Sequence, residues 1–464
     1  MTTNAAQQVN PLGQAPLKRL MLKFSIPSVI TLIVMYLYNI VDQIFIGHGI
    51  GYLGNAATNV IFPITVFAMA ISMLFADGGA AFMNLNLGKG KKREASATIG
   101  NVVISSLVSS LVLTVLCLIF LEPLCKMLGA TEASLQHSLD YGHIVILAFP
   151  FINFAGSVCA LIRADGNPRY SMIVMLSGAI INTVLDPIFI FGFEWGMKGA
   201  GLATVISQFV SAALCVHYIV KSRFKHVDCS VANFRINAKV LSRICVLGIS
   251  SFVAQLMLVL VIAATNNALT FYGARSVYGA EIPLAALGIT MKVNQIIMGI
   301  CIGIAAGCAP IISFNYGAAQ IKRVKKTILY ALSVTGCVTL AATFCFHFFP
   351  QYIIRIFGLE SEIYEQFAIK TFRIFLLLMT FNGFQICASI FFQALGKPLE
   401  SLLIQVSRQV IFFIPAMLLL CSVMGVEGVL WAGPVGDFLT FCLAFPLVLR
   451  LFREFKIMEL KTKS

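Results

Sequence analysis

The sequence predicts an all-α integral membrane protein: twelve transmembrane helices in two parallel-repeat six-helix lobes around a central cleft. Three observations carry this expectation. The first is composition, since 59% of the 464 residues are hydrophobic and only 11% charged, with a mean hydropathy of +0.91. A water-soluble chain of this length could not bury so much apolar surface, so the solvent must be a bilayer. The second is segmentation into apolar runs of about 20 residues, the length that crosses the hydrocarbon core. The third is an internal repeat. Residues 53–88 pair without a gap with residues 282–317, and Ala56, Ala57, Met69, Ile71, Ala76, Gly78, Ala80, Asn86 and Gly88 meet identical residues. Further on, Gly166-Asn167-Pro168 meets Gly396-Lys397-Pro398, and Gly196, Gly199 and Ala203 meet Gly425, Gly428 and Ala432. The register holds along each half, as duplication of a whole bundle requires.

The elements follow in order. A polar segment, 1–23, precedes the first run. The runs lie near 24–46, 54–86, 95–121, 138–162, 170–192, 199–220, 241–271, 283–315, 327–349, 366–393, 402–424 and 428–450. The second and eighth, which are repeat partners, exceed the minimum and are expected to tilt or project beyond the hydrocarbon. Residues 221–240 mix Lys, Arg, His and Asp with Val and Phe and read as the linker between an N-lobe, 24–220, and a C-lobe, 241–450. Residues 451–464 are basic and form a C-terminal tail.

Orientation follows from the basic residues, which stay on the cytoplasmic side. Most of the 33 Lys and Arg fall in the segments that share a side with the termini, among them Lys89, Lys91, Lys92 and Arg93, and Lys322, Arg323, Lys325 and Lys326. Both termini are therefore expected in the cytoplasm. Topology and anionic lipid headgroups account for the +14 charge, so no nucleic-acid partner is called for. No short h-region with a cleavage site is present, and the first span serves as the targeting signal. The thirteen cysteines form no CxxC pair, which disfavours structural zinc and a disulfide framework. No cofactor is expected. Compact loops point to a prokaryotic plasma membrane, and a monomer is sufficient.

An even number of spans per half makes the halves enter from the same side, with a pseudo-two-fold axis along the membrane normal. Two such lobes enclose a cleft that rocking can open to either face. Charges within spans should mark its working parts, because a carboxylate near the bilayer centre costs about 2.5–3.5 kcal/mol on insertion scales. Asp42 lies toward the outer end of the first span, with Asn39 and Met35 on the same helix face. Asp186 follows Asn182 by one turn in the fifth span and precedes Pro187, which cannot donate its backbone hydrogen bond and so frees the Thr183 carbonyl. Such oxygens suit a sodium ion, or a proton held on a carboxyl. The plainer alternative is that either Asp caps an outer helix end.

At these residues the chain resembles the multidrug and toxic compound extrusion (MATE) family, in particular its MepA-like branch. The likeness covers nearly the whole chain: the two parallel halves, Pro27 near the start of the first span, Asp42 followed by Phe45-Ile46-Gly47, and the fifth-span stretch from Asn182 to Gly192. The family's glycine signature after the second span looks like Leu87-Gly88-Lys89-Gly90, with Ala95 beyond. The resemblance implies export of amphipathic organic cations by antiport with protons or sodium. It places a cation-coupling and substrate site at Asp42, Asn182 and Asp186, with Tyr141 and Thr204 as neighbouring polar positions. Sodium, where it is the coupling ion, would sit at Asp42, Asn182, Asp186 and Thr204. One departure stands out: the seventh and tenth spans, which carry coupling acids in some branches, offer Gln255, Asn266, Asn267, Asn382 and Gln385 and no carboxylate. Coupling is accordingly assigned to the N-lobe alone.

Further candidates for the cleft are Asp77, an acid paired with Ala306 in the repeat, Gln255, Met291 and Lys292. Lys292 could partner a carboxylate across the lobes or snorkel to the outer interface. Arg373 and Arg408 are expected near the interfaces. Soft and aromatic side chains such as Met35, Tyr36, Tyr38, Met69 and Met73 suit a promiscuous cation pocket, although most such residues must face lipid or core. Two other functions fit parts of the pattern. A lipid-linked oligosaccharide flippase shares the architecture, but its anionic cargo calls for Arg or Lys in the cleft. An intramembrane prenyltransferase would use Asn182 and Asp186 as half of a magnesium motif, but no second acidic motif is visible.

Overall fold

The computed structural model describes residues 10–461 except 222, 231–232, 280 and 358–360. Among the described residues eleven helices are long and apolar enough to cross a bilayer, and one bent pair makes a twelfth span. In chain order they are α1 Leu17–Ile50, α2 Leu53–Gly88, α3 Lys92–Ile119, α4 Glu132–Ala164, α5 Pro168–Gly192, α6 Gly196–Val220, α7 Ala238–Gly273, α8 Glu281–Gly317, α9 Ile321–Phe348, α10 Glu362–Phe375 with Met379–Ala394, α11 Pro398–Met424 and α12 Glu427–Leu460. Helix is the obligatory answer to the composition, because only intrasegment bonding satisfies every backbone N–H and C=O in lipid. The helices overrun the apolar stretches, so the fourth starts at Glu132 and the last runs on through Leu451 and Phe455, both buried. The tenth span bends by 49° at residues 376–378. The same place in the repeat holds a short 3-10 turn, Ile146–Ala148, just before Pro150.

Helix faces are sorted as lipid demands. In α3, Val108, Leu111, Val112 and Val115 are each more than half exposed, whereas Thr98, Asn101, Ser105, Ser106 and Ser110 are buried. Thr98 Oγ1 donates back to the Glu94 carbonyl at 3.2 Å and Ser106 Oγ to that of Val103 at 3.1 Å, so these two hydroxyls pack inward without an orphaned polar atom.

The lobes touch through α2 against α7 and α1 against α8, and the duplicated glycines sit in these seams. A Cβ on Gly78 would stand 2.2 Å from the Ile244 carbonyl oxygen, and one on its repeat partner Gly307 would stand 2.6 Å from the Ser25 Cα. Gly88 and Gly317, also repeat partners, face each other across the pseudo-two-fold: their added Cβ atoms would meet the Phe314 and Leu85 carbonyls at 2.1 and 2.3 Å. All these contacts lie toward the end of the bundle that carries the chain termini. Toward the opposite end Asn39 and Gln43 of α1 and Lys292 and Gln295 of α8 are exposed, and nothing lies within 4 Å of a Cβ on Gly288, so the lobes part there.

Two straps cross the closed end. The segment before α1 includes the short helix Pro11–Gln14, capped by the Asn10 side chain, and docks on the C-lobe. There Asn315 Nδ2 donates to the Leu12 carbonyl at 2.9 Å, and the Arg323 guanidinium donates to those of Leu12 and Ala15 at 3.2 and 2.7 Å. The inter-lobe linker docks on the N-lobe. Asp165 accepts the Lys225 and His226 N–H groups at 2.7 and 2.9 Å, Ser96 Oγ accepts from Asp228 N–H at 2.8 Å, and Asn101 Oδ1 accepts from Asn237 N–H at 2.8 Å. Each lobe's leading segment is thus held by the other lobe.

Candidate functional site

The N-lobe carboxyls converge because α1 lies unusually close to the end of α5. After Pro187 the fifth span loosens into one π-helical turn, Ile188–Gly192, the local form that often marks a working site. Gly49 of α1 lies against it, and a Cβ there would stand 2.3 Å from Ile190 Cγ2. Phe45 and Phe191 pack edge to face beside it, with ring centroids 6.3 Å apart. This contact brings the Asp42 carboxyl into direct interaction with that of Asp186.

Asp186 and Asn182 are buried, at 0% and 3% exposure, and Asn182 Nδ2 donates to Asp186 Oδ1 at 3.3 Å. Two oxygens are left over: Asp186 Oδ2 and Asn182 Oδ1 are buried without a hydrogen-bond partner. Tyr141 of α4 lies within electrostatic reach of both carboxyls and its hydroxyl engages Thr204 of α6, whose Oγ1 also bonds back to the Ala200 carbonyl at 3.2 Å. Tyr38, one turn before Asp42, reaches both carboxyls as well. Five expected residues, Asp42, Tyr141, Asn182, Asp186 and Thr204, therefore meet in one cluster from four helices. The donor set is hard oxygen, and orphaned acceptors beside paired carboxyls fit a small cation or a proton.

The cleft candidates divide. Asn39 is exposed on α1, its Nδ2 bonded to the Met35 carbonyl at 2.7 Å, and Met35 is half-buried. Lys292 is exposed and Met291 packs against the C-lobe core. Asp77 and Gln255 are not at the carboxyl cluster; both lie in the seam between lobes. Ser251 Oγ donates to Asp77 Oδ2 at 2.7 Å and approaches Gln393 Oε1 at 3.2 Å, while Gln393 Nε2 donates to the Leu247 carbonyl at 2.9 Å. Gln255 Nε2 contacts Met73 Sδ at 3.1 Å across the same seam.

One expectation is corrected, and one residue of the cluster carried no distinct expectation. Arg408 does not sit near an interface. It lies about 15 Å into α11 from Pro398, at about 1.5 Å per residue, in the π-helical turn Ser407–Phe413. There its Nε donates to Asp437 Oδ1 of α12 at 2.8 Å. An arginine at that depth survives only with a partner. The signal in the sequence is a pair of opposite charges in adjacent spans, which a search confined to acids of the seventh and tenth spans passes over. Tyr38 is legible in the sequence only as one of many aromatic residues. Its spacing of four from Asp42 is what distinguishes it.

A duplicated twelve-helix bundle, closed at one end, parted at the other and holding a buried carboxyl cluster in one lobe, is the architecture of an alternating-access membrane transporter. Residues 27–188 and 256–418, one block in each lobe, match the MatE family. The chain belongs to this family of multidrug efflux transporters. The multidrug export protein MepA of Staphylococcus aureus is 25% identical over 452 residues, covering 97% of each chain. The solved MATE multidrug transporter DinF-BH is 31% identical over 94% of this chain and 96% of its own, with a TM-score of 0.87. A multidrug MATE transporter solved in an outward-facing conformation shares the fold with a TM-score of 0.88 at 22% identity, covering 97% of this chain and 98% of its own.

Proposed function

We propose that this transporter exports amphipathic organic cations in exchange for protons or sodium, with coupling confined to the N-lobe. The observation that carries the reading is the meeting of Asp42 and Asp186, with Asp186 Oδ2 and Asn182 Oδ1 left unpartnered beside them. Two carboxylates in contact repel unless a proton or a cation lies between them. Proton or sodium and an organic cation then compete for one negative centre. Loading the coupling ion weakens the hold on the cargo, and releasing it restores the hold. With the termini in the cytoplasm, the parted end faces outward, the side from which the coupling ion enters and the drug leaves. Membership of a transporter family supports transport over a prenyltransferase, and the carboxyl cluster supports cationic over anionic lipid-linked cargo.

The test is efflux of ethidium from proteoliposomes under a proton gradient and, separately, a sodium gradient. Wild type should move ethidium under at least one, which names the ion. Asp186→Asn should lower gradient-driven efflux at least about tenfold, the equivalent of roughly 1.4 kcal/mol from one lost charge. Efflux under neither gradient, from protein shown to be folded, sinks the proposal.

A further inference from the structure

The face of α8 that locks onto α1 continues into the open end of the cleft, where it carries an unpaired cation. Gly307, Gly303 and Gly299 meet Ser25, Val29 and Tyr36: an added Cβ would stand 2.6 Å from the Ser25 Cα, 2.7 Å from the Val29 Cα and 2.6 Å from the Tyr36 ring. Residues three and four apart share a helix face, so the stripe runs on through Gln295 and Lys292 to Gly288. Here the neighbour is gone. Nothing lies within 4 Å of a Cβ on Gly288, and Gln295 and Lys292 are exposed. The matching stripe of α1 continues from Tyr36 to Asn39 and Gln43, both exposed. At about 1.5 Å per residue, Lys292 lies about 16 Å in from Glu281, and Asn39 about 16 Å in from Ile50, so the two face each other at one depth. Among the described residues Lys292 makes no hydrogen bond or ion pair.

Alternating access requires the parted ends of α1 and α8 to close, and closure would strip water from the Lys292 ammonium. An unpaired charge at that depth is costly to bury. The stripe it closes on offers only neutral amides, with Asn39 already bonded to the Met35 carbonyl, while the Asp42 carboxyl is turned into the N-lobe toward Asp186. The anion has to come from elsewhere. We infer that the cargo supplies it: Lys292 is a specificity-determining residue that receives the carboxylate of a zwitterionic cargo whose cationic end lies at Asp42 and Asp186, while purely cationic cargo leaves it unengaged. This rests on the antiport reading above and adds to that site the group that sorts zwitterionic from purely cationic cargo.

The test uses two dyes that differ at one group: rhodamine 6G, an ethyl ester and a pure cation, and rhodamine 19, its free acid and a zwitterion. Both are followed in proteoliposomes carrying wild type, Lys292→Gln or Lys292→Arg. Lys292→Gln should raise KM for rhodamine 19 about tenfold and leave or lower KM for rhodamine 6G, as loss of one charge-assisted contact to a carboxylate predicts. Lys292→Arg should keep the wild-type ratio of the two. Equal shifts for both dyes, or none, overturn the inference, and equal slowing would make Lys292 a counter-ion for closure instead. Lys292→Met reads the same ratio should Lys292→Gln fail to insert. The antiport reading stands or falls on the ethidium assay above, so its failure is distinguishable from that of the inference; if wild type moves neither rhodamine, binding is measured instead. Fluorescence polarisation of both dyes on the purified protein then decides the inference: a weaker Kd for rhodamine 19 alone on Lys292→Gln sustains it, and a constant ratio overturns it.

Discussion

Asn182 is the hinge of the N-lobe cluster, because one amide both donates to Asp186 Oδ1 and leaves its own oxygen free beside Asp186 Oδ2. Removing it should misplace the carboxyl and delete one cation ligand while leaving α5 intact, since Ala is a better helix former than Asn. Asn182→Ala should therefore raise the coupling-ion concentration for half-maximal ethidium efflux by about tenfold, with a smaller change in maximal rate. A rate that falls with no shift in ion dependence would assign Asn182 to packing. Asp42, Asn182 and Asp186 were legible in the sequence because an ionisable group is rare and costly inside a span. The same logic extends to Arg408 and Asp437. It fails on Asp77, whose depth resembles that of a cleft acid: only tertiary contact shows that its carboxylate faces Ser251 of the other lobe.

At the scale of elements, the linker is attached to the N-lobe through a group that titrates near neutrality. Asp165 sits outside the spans, between α4 and α5, and burial pushes its carboxyl up to about 7 despite the two N–H groups it accepts. A carboxyl raised in the docked state binds its proton more tightly there than when undocked. Docking is therefore strongest below the usual carboxylate range, weakens as the pH rises toward about 7, and is constant above it. Hydrogen exchange at the Lys225 and His226 amides, corrected for intrinsic rates, should show protection falling across that window. In Asp165→Asn the protection should be flat with pH. A slope that survives in the variant would place the titrating group elsewhere. The mixed composition of the linker identified it in the sequence, but its partners Asp165, Ser96 and Asn101 lie 60 to 136 residues away along the chain and carry no local signature.

For the whole molecule, the twelve spans and parallel lobes were readable from hydropathy and the repeat, because bilayer thickness and span parity leave few alternatives. Which end is closed was not readable, since the duplicated glycines could serve either seam. The structure closes the end with the termini, and that closure offers a covalent test. Ser25 Oγ of α1 lies 3.8 Å from Cys308 Sγ of α8. A thiol at position 25 would need to move by less than about 2 Å to form a disulfide of about 2.05 Å across the lobes. Ser25→Cys should transport ethidium when reduced and stop when oxidised, because the lobes can no longer part at the closed end, and a reductant should restore it. Wild type should be insensitive to the same oxidant, since its close thiol pair, Cys159 and Cys215 at 3.8 Å, joins α4 to α6 within one lobe. Full transport by a variant whose cross-link is confirmed by mass spectrometry would show that the seam between α1 and α8 does not have to open, and would remove alternating access between these lobes as the mechanism.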